Sequence, residues 1–173
     1  MSWFNEDRGP RGQPGTTGPA GLPYVVKFAQ LNTGSGEHPM LAAGEVIYYM
    51  QADPHNTLTT YVDPQYGFPA HINLDGPGVY QISTMFQYRG SDNPCNFTLV
   101  GLTADVNSWY DLAYYSGGQS FPPYGLARLN CTTTYVCDGT VTSVHLKRDN
   151  DATGMLSTFG YCATFTVLKL LSL

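Results

Sequence analysis

Glycine stands at positions 9, 12, 15, 18 and 21, and nothing in the run Gly9–Pro23 breaks that three-residue period. Prolines at 10, 14, 19 and 23 occupy positions between the glycines. A strand with this pattern can pack about a three-chain axis, where only glycine fits, and proline pre-sets the polyproline II torsions each strand needs. A flexible Gly/Pro linker would have the composition without the phase. Read as a short collagen-like triple helix, the run has Gly9, Gly12, Gly15, Gly18 and Gly21 as its axis residues, and the chain is one third of a homotrimer. At about 3.1 Å per residue the run spans roughly 45 Å, a stiff spacer and not a filament.

The stretch ahead of it, Met1-Ser-Trp-Phe-Asn-Glu-Asp-Arg8, carries two large aromatics. On an isolated terminal peptide Trp3 and Phe4 would stand in water, so residues 1–8 are expected to be an anchor peptide inserted into a larger assembly. The stretch lacks the apolar core of a secretory signal. The expected organisation is therefore an anchor (1–8), a stalk (9–23) and one head domain (24–173), large enough for a core of its own.

The head reads as all-β. Charged residues are only 12% of the 173-residue chain, aromatics are 13%, and thirteen residues are Tyr. Short Val-, Thr- and aromatic-rich runs recur between turn signals. They cover 24–31, 45–51, 57–62, 67–74, 79–88, 95–103, 109–115, 124–130, 132–137, 140–147 and 159–171. In the run from Val79, Tyr80, Ile82, Phe86 and Tyr88 alternate with Gln81, Ser83 and Gln87, the period of a half-buried strand. Asp138-Gly139 between two such runs is the strongest hairpin signal. No stretch has helical periodicity. About ten short strands with turn signals between them mean a sandwich or a jelly roll. A net charge of −5 speaks against nucleic acid, and no apolar run is long enough to span a membrane as a helix.

Catalytic patterns are missing: there is no G-x-S-x-G, P-loop or H-E-x-x-H. His38, His55, His71 and His145 are scattered and read as surface or packing residues. Cys95, Cys131, Cys137 and Cys162 lack zinc-site spacing and are expected as free thiols. No cofactor is implied. Asp149 and Asp151, with Asn150, have oxygen ligands of the kind calcium takes, although a solvated turn explains them as simply. Tyr114 and Tyr115, with Phe121 and Tyr124 beyond a glycine pair, set aromatics beside a flexible loop and are the candidate ligand-binding residues.

Gly67-Phe-Pro-Ala followed by Asp75-Gly-Pro-Gly-Val-Tyr-Gln-Ile-Ser83 resembles the central signature of the complement component one q globular head. Thr140–Lys147 is similar to that family's penultimate strand, with Thr or Ser for its usual Asp, and 159–171 to its closing segment, with Ala163 for a glycine. The resemblance covers most of 24–173. It implies a trimeric, ten-stranded jelly-roll sandwich, shared with the tumour necrosis factor superfold and often collagen-stalked, whose closing strand lies near the three-fold axis. Together these features lead us to expect a non-enzymatic structural protein of a virion, most simply of a bacteriophage. It would be a fibre or capsid decoration, anchored by residues 1–8, whose head attaches to a host glycan or protein. The alternative is a secreted, extracellular collagen-stalked recognition protein, for which the sequons at Asn96 and Asn130 would carry glycans.

Overall fold

The computed structural model describes residues 27–32, 44, 46–89, 96–105, 108–116, 127–149, 157–158 and 163–173, so the expected anchor and stalk lie outside the described residues. The strands are β1 (Lys27–Asn32), β2 (Gln51–Ala52), β3 (Thr60–Val62), β4 (Pro69–Asn73), β5 (Gly78–Arg89) and β6 (Asn96–Thr103). They continue with β7 (Trp109–Ser116), β8 (Ala127–Cys137), β9 (Val141–Arg148), β10 (Ser157–Thr158) and β11 (Thr164–Ser172). All pairings are antiparallel. One sheet runs β2-β1-β11-β5-β8, with β10 continuing the β11 edge of β5. The other runs β3-β4-β9-β6-β7. From β4 onward the chain passes back and forth between the sheets, pausing at the β6–β7 pair and again at β10 and β11, which both belong to the first sheet. This is the all-β architecture that the alternation implied, two sheets folded as the jelly roll that the resemblance implied.

Alternation also decides what faces inward. On β5, Tyr80, Ile82 and Phe86 are buried while Gln81 and Ser83 are partly exposed. On and just before β11, Ala163, Phe165 and Val167 are buried. The second sheet answers with Ile72, Phe97, Leu99, Val144 and Leu146. Phe86 meets Phe97 edge-on at 5.0 Å between ring centres, and Tyr49 stacks on Phe165 at 6.0 Å. Each such buried side chain contributes roughly 1.5–3 kcal/mol, and the geometry of the aromatic pairs adds to that.

Three expectations are corrected. The runs 124–130 and 132–137 are not two strands: Ala127–Cys137 is one, because Leu129, Cys131, Thr133, Tyr135 and Cys137 keep a single inward phase through the supposed break. The run 45–51 is mostly not a strand. Val46 makes one bridge to Lys147, and Tyr49 N–H then bonds the Pro69 carbonyl at 2.8 Å, so the segment crosses from β9 to β4 without one continuous partner. Asp138-Gly139 is not a hairpin. β8 pairs with β5, whereas β9 pairs with β4 and β6, so the turn changes sheets. Gly139 has φ of 100°, and Asp138 Oδ1 accepts the Thr140 N–H at 2.8 Å. The local chemistry of a tight turn is all there, but it makes a corner.

At one end of the first sheet Asp75 accepts from Lys27 at 2.6 Å, and buried Lys169 donates to its backbone carbonyl. The Lys169 ammonium also lies 5.7 Å from the centre of the Tyr80 ring. These contacts, that of Lys27 first, hold the Asp75 carboxyl below its usual range. Lys27 and Asp75 are both substantially exposed, so their pair contributes little stability.

Candidate functional site

The second sheet turns Phe97 and Leu99 toward the core, which puts Thr98, Val100 and Leu102 of β6 on its outer face. Val100 and Leu102 are nevertheless buried, and they stand outside the inter-sheet core. They lie under a cavity of about 660 Å³. β9 sends Ser143, His145 and Lys147 to the same face, because Val144 and Leu146 point inward. β4 sends His71, since Ile72 points inward opposite Val144. Cross-strand partners share a face. The register Leu102↔Trp109 therefore adds Trp109, and Tyr61 opposite His71 closes the other side.

A continuous stack runs across three strands. Tyr61 lies on His71 at 5.2 Å between ring centres, and His71 on His145 at 4.5 Å. His145 is 5% exposed, and its Nδ1 has no hydrogen-bond partner among the described residues. Burial, reinforced by His71 and Lys147, pushes its pKa down to about 3. Burial also lowers that of His71, against the opposing pull of Asp63. Both rings are neutral at pH 7, so the cavity has a flat aromatic wall with ring nitrogens in it. At the rim Trp109 is 61% and Tyr61 43% exposed.

Among the expected site residues, Tyr114 and Tyr115 separate. Tyr115 is a correction: it is 6% exposed, turned into the core, and its hydroxyl bonds Thr133 Oγ1 at 2.7 Å. Tyr114 is exposed and pairs with Thr98, so it projects from the same outer face as Trp109; the β-bulge in β7 makes that possible across an odd spacing. Asp149 accepts from Thr98 Oγ1 at 3.3 Å, and its N–H bonds the Asn96 carbonyl at 2.9 Å. No group of three potential metal-binding His, Cys, Asp or Glu side chains stands together among the described residues. Trp3, Phe4, Phe121, Tyr124, Asp151 and the five stalk glycines lie outside the described residues.

The His71–His145 stack and the Trp109 and Tyr61 rims were not anticipated. Alternation around Ile72 and around Val144 and Leu146 does place both histidines on outward faces. That β4 and β9 are neighbours, with these two rows in register, is a long-range fact that spacing does not carry.

No protein-family model and no curated protein matches this chain. Solved structures do. The chain is similar to an Eiger TNF from S. frugiperda, with a TM-score of 0.66 at 13% identity, over 86% of this chain and 94% of that one. It is also similar to murine APRIL, with a TM-score of 0.54 at 10% identity, over 84% and 99%. The head is thus an all-β jelly roll with the fold of the tumour necrosis factor class.

Proposed function

We propose that this chain is one subunit of a non-enzymatic homotrimeric head protein of a virion. Residues 1–8 anchor it, the Gly-X-Y stalk lifts it, and the jelly-roll head faces the host surface. One observation carries the trimer. The outward face of the first sheet holds three cross-strand rows: Phe28–Leu168–Gln81–Thr134, Gln30–Thr166–Ser83–Thr132 and Asn32–Thr164–Met85–Asn130. None of these twelve residues is charged, and the first charged position in the continuing register is Arg128, opposite Gln87 at the end of the face. The outward face of the other sheet carries Asp111, His71 and Lys147. Charge is what the buried centre of an interface avoids, and the Phe, Leu, Met, Thr and Ser side chains of these rows cost less to desolvate than a charged group. β11, the strand expected nearest the three-fold axis, lies between β1 and β5 in this face. A glycan on Asn130 would stand on the same face, which favours the virion setting over the secreted one.

Light scattering on the full chain tests this reading. The expected mass is three times that of one chain. Ser83→Arg, at the centre of the rows, is expected to give a folded monomer with an unchanged far-ultraviolet spectrum. A monomeric parent, or a trimer that tolerates the arginine, overturns the assignment.

A further inference from the structure

The cavity on the outer face of the second sheet contains polar groups that the fold does not use. Asp63 is already engaged: its Oδ1 accepts the N–H groups of Gln65 at 2.7 Å and Tyr66 at 3.3 Å, and its Oδ2 the Tyr48 hydroxyl at 3.3 Å. The ammonium of Lys147 and the hydroxyl of Ser143 have no hydrogen-bond or ion-pair partner among the described residues. Ser143 is 7% exposed, and the neighbouring His145 Nδ1 is also unpartnered. Buried polar groups are ordinarily satisfied. One unpartnered buried ring nitrogen, beside a hydroxyl and an ammonium that line the same cavity, is what a ligand with its own donors and acceptors would complete.

The walls narrow the class. The exposed indole of Trp109 and the ring of Tyr61 flank the opening. A flat aromatic beside fixed polar groups matches a pyranose, which has an apolar C–H face and an edge of hydroxyls. A volume of about 660 Å³ suits one or two such rings. Lys147 supplies a cation that Asp63 does not neutralise, so the matching ligand bears an anion.

We propose that this cavity binds an acidic sugar, a uronic or sialic acid unit. Trp109 and Tyr61 take the ring face, Lys147 the carboxylate, and Ser143 with His71 the hydroxyls. The proposal deepens the host-recognition reading of the head and is independent of its oligomeric state.

The test uses the full chain carrying Trp3→Phe, which leaves Trp109 as its single tryptophan. N-acetylneuraminic acid, glucuronic acid and glucose are titrated separately, by calorimetry and by tryptophan fluorescence. At least one acid is expected to bind saturably with a change in Trp109 emission, and glucose at least tenfold more weakly. Lys147→Gln should weaken the acid at least tenfold and leave glucose unchanged. Trp109→Ala, at an exposed position, should abolish binding of both. The proposal is overturned if neither acid binds saturably at about 10 mM, if glucose binds as well as the acids, or if both variants bind like the parent. Mass measured on the same samples separates the two proposals: a trimer that ignores acidic sugars removes this one and leaves the trimeric head standing.

Discussion

His145 shows how much a single position in this molecule can be held against its own chemistry. An unconstrained imidazole takes a proton near pH 6.5, whereas burial beside His71 and Lys147 holds His145 neutral down to about pH 3. Between those values the unfolded chain binds a proton that the native chain refuses. Stability therefore falls as pH drops through that window, by at most about 1.4 kcal/mol per pH unit for each such histidine. His71 acts in the same direction. Between pH 6.5 and about 5, above the range where most carboxylates titrate, the urea midpoint of the parent should decline. His145→Phe keeps an aromatic ring on His71 and removes the titration, so its decline should be shallower. Equal slopes would show that His145 is already protonated in the native state.

At the scale of the strand, β5 is the element whose behaviour was most legible. Tyr80, Ile82 and Phe86 alternate in the sequence and are buried in the structure. Its first residue adds a constraint that no pattern carries. A β-carbon on Gly78 would stand 2.5 Å from the Leu171 carbonyl and 2.8 Å from Lys169 Cε. The crowding arises where the register between β5 and β11 shifts between Lys169 and Leu171. Gly78→Ala should cost about 1–3 kcal/mol, read as a lower urea midpoint at unchanged m-value; an unmoved midpoint would mean that this end of β11 yields freely. The same contrast explains the rest. Asp138-Gly139 carries every local mark of a hairpin, and local marks report a tight turn, not which sheet the next strand joins. Tyr115 is indistinguishable from Tyr114 in sequence, and their fates differ only through the register against Phe97 and Thr98. The sequence displays the faces of each strand, and tertiary pairing assigns those faces to core, cavity or interface.

For the molecule as a whole, the proposed trimer would divide the work of association between stalk and head. Five Gly-X-Y triplets are too few to hold three chains, so in the proposed assembly the head would supply most of the association energy, and the stalk would gain from the high effective concentration it creates. Removing residues 1–8 should accordingly leave a soluble trimer that no longer attaches to particles in a co-sedimentation assay. Retained attachment would overturn the anchor role proposed for residues 1–8. The strand order has a further consequence, in time and not in space. β11 is an inner strand of the first sheet, bonded on one side to β1 through pairs such as Lys27↔Lys169 and on the other to β5. Until residue 172 has left the ribosome, β1 and β5 each expose an open edge where β11 belongs. Closing a loop of that span is slow compared with local pairing. Nascent chains therefore wait with unpaired strands, the state in which neighbours on one messenger can pair wrongly with each other. A chain that joins two siblings, as proposed above, would thus be exposed to them before its own sheet is complete, and its yield in cells should depend on how densely ribosomes crowd its message.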